Sequence, residues 1–152
     1  MDQFSSSLNE ILVEMYHNIL KMEEQALKNK ENLHLSINEM HLIECVGKGA
    51  EKGLTISEIA LALDITRPSA TVAVNKLEKK GYLKKQSCEN DGRVVRVFLT
   101  RRGKVIDSYH RFYHTNMIKE ISGDFNEEEK TCLLRAVGKL NDYFKNSIGD
   151  NR

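Results

Sequence analysis

Arginine side chains cluster around an Asp-Gly pair in residues 89–103, E-N-D-G-R-V-V-R-V-F-L-T-R-R-G. They are Arg93, Arg96, Arg101 and Arg102. A guanidinium group is always charged and carries five N–H donors in a planar fork, a geometry that suits phosphate oxygens. Their types and spacing therefore predict that this part of the chain binds a polyanion.

The charge of the whole chain is divided unevenly along its length. Residues 66–104 carry eleven Lys and Arg against three acidic residues, a local net charge of +8, although the 152-residue chain has a net charge of only +1. A basic segment on an acidic body is typical of a protein that binds nucleic acid, because each neutralised phosphate releases counterions. The alternative is a lysine-rich helix face that is merely solvated.

The sequence T-R-P-S-A-T-V-A-V-N-K-L-E-K-K-G, residues 66–81, predicts a well-bounded helix. Thr66 is the expected N-cap, Pro68 lies in the first turn, and Gly81 ends the helix. The spacing predicts a buried face of Ala70, Ala73, Val74 and Leu77, and an opposite face of Pro68, Thr71, Val72, Asn75, Lys76 and Lys79. An exposed face that mixes hydroxyl, amide, apolar and ammonium groups can read a DNA groove.

Five further helices and a hairpin are predicted around this one. A long amphipathic helix covers about residues 5–29, and a second begins at Ser36 and is stopped by Gly47 and Gly49. T-I-S-E at 55–58 predicts a short helix that begins with a capping box. Thr100 and Asn126 are the expected N-caps of the last two helices.

The hairpin is predicted from two extended runs, residues 82–88 and 93–100, joined at Asp91-Gly92. The predicted order is that of a winged helix-turn-helix: two helices, a groove-reading helix and a basic hairpin. In such a domain the hairpin, called the wing, contacts phosphates or enters the minor groove. Arg93 is expected to be held by Asp91 and directed at the minor groove. The alternative is that this pair only stiffens the turn.

The predicted fold is therefore mainly α-helical with a small β-hairpin wing. Residues 35–103 are predicted to form a winged-helix DNA-binding domain. Residues 1–34 and 104–152 are predicted to form a helical dimerisation region, because their helices carry more apolar surface than a small DNA-binding unit needs.

The chain resembles the MarR family of bacterial winged-helix regulators over nearly its whole length. The resemblance rests on V-N-K-L-E-K-K-G-Y-L (74–83), on D-G-R-V-V-R-V-F-L-T-R-R-G (91–103) and on the long helices at both ends. It implies a homodimer whose terminal helices interlock and whose recognition helices read a pseudo-palindromic operator in double-stranded DNA. Gly92 departs from the family, where many members have a second arginine, so the wing tip carries less charge.

Within the family, I-N-E-M-H-L-I-E-C-V-G-K (37–48) and M-E-E (22–24) look most like the FabT-like repressors of fatty-acid synthesis genes. That resemblance implies a repressor whose effector is an acyl chain on acyl carrier protein, with another small molecule as the alternative. The alternative is that these residues follow the pattern that core packing favours in such helices.

The residues expected to contact DNA lie in three groups. Thr55 and Ser57, in the short helix, are expected to contact DNA phosphates. Thr66 begins the helix of residues 66–81, which is the expected recognition helix. Val72 suits a thymine methyl and Asn75 an adenine edge. The major-groove set is Arg67, Ser69, Thr71, Val72, Asn75 and Lys76, and the wing set is Lys84, Lys85, Arg93 and Arg96.

Histidines raise a separate hypothesis, a zinc site. His110 and His114 are four residues apart on one predicted helix, so both rings can project from the same face as ligands of one metal. Glu23 and His41 complete the set through a resemblance to the zinc-uptake regulators of the same family. The alternative, which we favour, is that these imidazoles are structural, so that no cofactor is firmly expected.

Other classes of function fit the sequence less well. No run of about 18 apolar residues predicts a membrane span, and the N-terminus M-D-Q-F-S-S-S lacks a secretion signal, so we expect a cytoplasmic protein. Cys45, Cys88 and Cys132 lack metal-binding spacing. No phosphate loop, nucleophile elbow or H-E-x-x-H motif predicts an enzyme. The remaining rival is a helical protein-interaction module that does not bind DNA.

Overall fold

A computed structural model describes residues 2–28, 35–88 and 91–149 of the chain. It confirms the predicted class, mainly α-helical with one antiparallel hairpin. The elements are α1 (Gln3–Lys28), α2 (Ile37–Lys48), a 3₁₀ turn (Ala50–Lys52), α3 (Ile56–Ala62), α4 (Arg67–Lys79), β1 (Leu83–Cys88), β2 (Asp91–Leu99), α5 (Arg101–Gly123) and α6 (Glu127–Gly149). Among the helices of the described ranges, none combines the length and the hydropathy that a membrane span requires.

The chain forms two compact units, Met1–Arg111 and Phe112–Arg152. The first contains α1 to α4, the hairpin and the start of α5. The second contains the rest of α5 and all of α6. The core of the first unit is built from α2, α3, α4 and the hairpin, and its largest fully buried side chains are Met40, Leu42, Ile43, Ile59, Leu77, Leu83, Val46, Val74 and Val97.

The ends of α4 confirm the predicted helix signals. The Thr66 hydroxyl accepts a hydrogen bond from the Ser69 N–H at 3.3 Å, as an N-cap does. The helix ends at Lys79, and Gly81 follows in the left-handed region with φ of 79°. Ala70, Val74 and Leu77 are buried, so the opposite face is left for a partner.

The other predicted caps are also present. Thr55 and Glu58 form the capping box of α3, with hydrogen bonds of 3.2 and 2.7 Å. Thr100 accepts from the Gly103 N–H at 3.1 Å at the start of α5. Asn126 accepts from two backbone N–H groups at the start of α6, both at 3.0 Å.

The hairpin corrects one prediction. Asp91 and Gly92 lie in β2 and do not form the turn, since Cys88 pairs with Asp91. The regular register that pairs Leu83 with Leu99 shifts between Ser87 and Cys88. A glycine within a strand accommodates such an irregularity, because it carries no side chain to clash in the bulge. The residues between Cys88 and Asp91 lie outside the described part of the chain.

A second correction concerns Gly47, which was expected to stop α2 but lies inside it. A Cβ added at Gly47 would lie 2.7 Å from Oδ2 of Asp107 in α5. Asp107 is buried, with only 3% of its surface exposed. The glycine is therefore required for the close approach of α2 and α5, and Gly49 supplies the C-cap that ends the helix.

Candidate nucleic-acid interface

The outward face of α4 is the centre of the candidate interface. All the recognition-helix residues predicted to contact DNA are exposed: Thr66, Arg67, Ser69, Thr71, Val72, Asn75 and Lys76. Val72 is the apolar exception among them, and 69% of its surface is exposed. An apolar side chain held in water at the centre of a polar helix face is suited to contact a thymine methyl group.

Three hydroxyl groups on this face already have partners within α4 or at its N-cap. The Thr71 hydroxyl donates to the Arg67 carbonyl oxygen at 2.9 Å. Thr66 and Ser69 share a hydrogen bond between their hydroxyl groups at 2.8 Å. These contacts fix the rotamers of the hydroxyls, while each oxygen keeps capacity to accept or donate a further bond. Thr55 of the preceding turn is half-buried and used as a cap, whereas Ser57 is exposed.

Lys85 of β1 connects the wing to α4. Its Nζ lies 3.1 Å from Oε2 of Glu78 and donates a hydrogen bond to Oδ1 of Asn75. Its backbone N–H donates to Oε1 of Glu78 at 3.3 Å. Neighbouring Lys84 is exposed, and its ammonium lies 6.0 Å from the centre of the Phe98 ring. The two predicted wing lysines therefore have different surroundings, and only Lys85 contacts the recognition helix.

Arg96 is placed against the segment that precedes α3. Its Nη1 donates to the Gly53 carbonyl oxygen at 3.2 Å and lies 3.7 Å from Oε2 of Glu58. The backbones of Val97 and Leu54 bond to each other nearby, at 2.7 and 3.1 Å. Arg96 therefore holds the wing to the start of α3 through part of its guanidinium, and its other N–H donors remain for a phosphate.

The side chains of Asp91 and Arg93 lie outside the described residues, although the backbone of both is part of β2. The predicted ion pair between them and the minor-groove role of Arg93 thus stay predictions from the sequence.

Glu39 is a charged residue that the sequence interpretation did not single out. Its carboxylate is buried between α2 and α4 and accepts from Nζ of Lys80 at 2.8 and 2.9 Å and from the Ser36 N–H at 2.9 Å. Nζ of Lys76 lies 3.0 Å from the same carboxylate. Burial acts to raise the pKa of Glu39, but the hydrogen bonds from Lys80, Ser36 and Lys76 outweigh it and lower the pKa to about 2.

The signal for Glu39 was present as S-I-N-E at 36–39, a second capping-box pattern. The sequence could not predict that Lys76 and Lys80, which lie 37 and 41 positions further on, pair with this carboxylate. Lys76, predicted to contact DNA, is shared between this carboxylate and the outward face of α4.

Three of the predicted metal ligands belong to the first unit. Nε2 of His41 lies 3.8 Å from Oε2 of Glu23, and the rings of His41 and His110 have centroids 6.4 Å apart. Nδ1 of His110 also lies 3.7 Å from Oε2 of Glu44. Imidazoles and carboxylates therefore lie near one another here, as both the zinc hypothesis and its structural alternative predict. His114 belongs to the second unit, so the four-ligand zinc site remains a prediction from the sequence.

Comparisons with known proteins place the chain among DNA-binding regulators. A model of the MarR family matches residues 35–94. The Streptococcus pneumoniae FabT structure in complex with DNA is 31% identical, with 93% of this chain and 98% of that chain covered and a TM-score of 0.87. The transcriptional regulator PecS of Dickeya dadantii is 29% identical over 114 residues, or 74% of this chain and 69% of PecS.

A DNA complex of MepR from S. aureus shares the fold at lower identity. It is 21% identical, covers 88% of this chain and 96% of that chain, and has a TM-score of 0.68.

Proposed function

We propose a function that starts from one fact: the chain belongs to the MarR family of DNA-binding transcription regulators. It acts as a homodimer that binds a pseudo-palindromic operator in double-stranded DNA, and in our proposal it represses transcription. The observation that carries the proposal is the outward face of α4, where a polar and cationic surface lies within the +8 segment. We propose no catalytic activity.

Three groups of residues would contact the duplex. The α4 face would enter the major groove, where a helix can reach base edges. Ser57 and Thr55 would contact the phosphate backbone from the start of α3, where backbone N–H groups also favour an anion. Lys84, Arg93 and Arg96 would follow the backbone or the minor groove from the wing.

Dimerisation is supported by apolar side chains on the terminal helices. In the first unit, α1 exposes Ile11, Met15, Tyr16, Ile19 and Met22. In the second unit, α6 exposes Leu133, Leu134, Val137, Tyr143, Phe144 and Ile148. Rows of this kind on long helices are suited to bury one another in a second copy of the chain, which would also set the separation of the two α4 helices.

The similarity to FabT supports a more specific proposal. We infer that the regulated genes belong to fatty-acid synthesis and that the effector is an acyl chain carried by acyl carrier protein. An effector of this kind would act by favouring one separation of the two α4 helices over another. A few kcal/mol of differential affinity is sufficient for such a population shift.

A salt titration tests the DNA-binding proposal against the rival, a helical protein-interaction module. Affinity for a random duplex is measured by fluorescence anisotropy over a series of KCl concentrations. A protein that neutralises six to ten phosphates loses about 10³ to 10⁵ in affinity between 50 and 200 mM salt. A flat dependence, or no binding at low salt, would contradict the proposal.

A further inference from the structure

We infer that Lys85 and Glu78 determine which base Asn75 reads, and that this base is guanine and not the adenine expected from the residue type alone. The inference rests on the proposed function, because it concerns how the α4 face recognises a base. It makes Asn75 the specificity-determining residue and Lys85 a positioning residue that sets its hydrogen-bonding direction.

A chain of contacts runs from the wing to the α4 face. Glu78 holds Lys85 twice, through the backbone N–H at 3.3 Å and through Nζ at 3.1 Å. The same ammonium donates to Oδ1 of Asn75. Lys85 is half-buried, with 30% of its side chain exposed, so its ammonium is held between the wing and α4.

The contact with Lys85 also fixes the orientation of the Asn75 amide. The oxygen and nitrogen of an asparagine side chain are distinguished by their hydrogen-bond partners. An ammonium has three donors and no acceptor, so the amide oxygen must face Lys85. The amide nitrogen then points away from Lys85, and Asn75 itself is exposed on the α4 face. Asn75 thus presents N–H donors to a base.

Adenine and guanine present different hydrogen-bonding groups in the major groove. Asparagine reads adenine through a bidentate pair, in which its oxygen accepts from N6 and its nitrogen donates to N7. With Lys85 bonded to Oδ1, the positive charge beside that oxygen opposes the N6 amino group of adenine. Guanine presents acceptors at both N7 and O6, which suit the Asn75 N–H groups and the neighbouring ammonium. The combination therefore favours guanine.

The experiment begins with the full-length wild-type protein and a pool of randomised duplexes. The position that Asn75 reads is the one at which Asn75→Ala removes base discrimination. Affinities for the selected duplex with guanine or adenine at that position are then compared by anisotropy. We expect the wild type to prefer guanine by about tenfold, the scale of one well-placed base contact.

Lys85→Met removes the ammonium and keeps an unbranched side chain. We expect the guanine-to-adenine ratio to fall to about one or to reverse, because Oδ1 becomes free to accept from adenine N6. Lys85→Arg, which still offers only donors, should restore the preference for guanine. Lys84→Met is the matched control, since it removes the same charge from the adjacent strand residue that does not contact α4. It should leave the ratio unchanged even where overall affinity falls.

The outcomes separate this inference from the proposed function. If no duplex is enriched, the proposed function fails. If a duplex is enriched but the wild type prefers adenine, or Asn75→Ala affects no single position, the inference is wrong. An unchanged ratio in a folded Lys85→Met dimer also overturns it. Should Lys85→Met not fold, Glu78→Gln, which loosens the hold on the ammonium, gives the same comparison.

Discussion

Glu39 of α2 binds Lys80 at the C-terminal end of α4 through two hydrogen bonds, at 2.8 and 2.9 Å. Lys76, one turn earlier on α4, lies 3.0 Å from the same carboxylate. Because the Ser36 N–H also donates to this carboxylate, at 2.9 Å, the start of α2 and the last turns of α4 share one anchor. The buried carboxylate of Glu39 therefore fixes the orientation of α4, the proposed recognition helix, relative to α2.

Replacing Glu39 by glutamine should destabilise the protein in a pH-dependent way. The pKa of Glu39 is lowered from 4.5 to about 2, so its contribution is complete above about pH 4.5 and is lost as the pH falls toward 2. At neutral pH the free energy of unfolding should fall by at most about 3 kcal/mol, since one pKa unit is about 1.4 kcal/mol. Urea unfolding of both proteins between pH 2 and 7 measures the difference.

Glu58→Gln is the matched control for that experiment. Glu58 has the same place in the capping box of α3, but it is exposed and is not bonded to a lysine ammonium. Its substitution should cost less stability than Glu39→Gln at neutral pH. A loss in Glu39→Gln that is equally large at pH 2 and pH 7 would show that packing, not charge, is responsible.

Gly103→Ala should destabilise the first unit, although replacing a glycine by alanine within a helix usually stabilises the helix. A Cβ at this position would lie 2.2 Å from the Tyr82 carbonyl oxygen, which also accepts from the Thr100 N–H at 3.0 Å. Because the obstacle is backbone, α5 would have to move away from the end of the wing. We expect a loss of about 1 to 3 kcal/mol, the usual cost of overpacking. Thermal unfolding measures it.

Ser108→Ala, at an exposed position of the same helix, controls for the change in helix propensity. It should change the melting temperature little in either direction. An equal melting temperature for Gly103→Ala and wild type would mean that the approach of α5 to Tyr82 is not tightly packed.

Local signals predicted most of the fold, because each acts within a few residues. The caps at Thr55, Thr66, Thr100 and Asn126 were read from residue type and spacing alone, and the helices begin there. The error at Gly47 arose because a residue distant in the sequence decides its role. Gly47 looks like a helix stop until Asp107 is found against it.

The candidate site shows the same limit. The exposed face of α4 follows from helical periodicity, so its members could be listed from the sequence. The partners of that face could not, because Glu39 reaches Lys80 across 41 positions and the contact from Lys85 to Asn75 depends on how the wing folds back. Those contacts decide which donors and acceptors the face presents.

Val137→Glu should convert the dimer into a monomer. Val137 lies on the apolar face of α6, with 49% of its surface exposed within the chain itself, and a carboxylate there could not be buried without a partner. Asn146→Glu adds the same charge to the opposite face of α6 and should leave the dimer intact. Sedimentation equilibrium distinguishes them. A dimeric Val137→Glu protein would place the dimer contacts elsewhere.

Arg93→Ala tests the wing. A guanidinium is favoured in a narrow minor groove because the negative potential there is enhanced, so we expect operator affinity to fall at least several-fold while the dimer stays intact. Arg135→Ala removes the same charge from α6 and should have a much smaller effect. Gel-shift titrations on the selected duplex, with dimer mass measured in parallel, compare the two variants. If Arg93→Ala and Arg135→Ala bind the operator with equal affinity, Arg93 does not contribute to DNA binding. Its role would then be to pair with Asp91 and stiffen the wing.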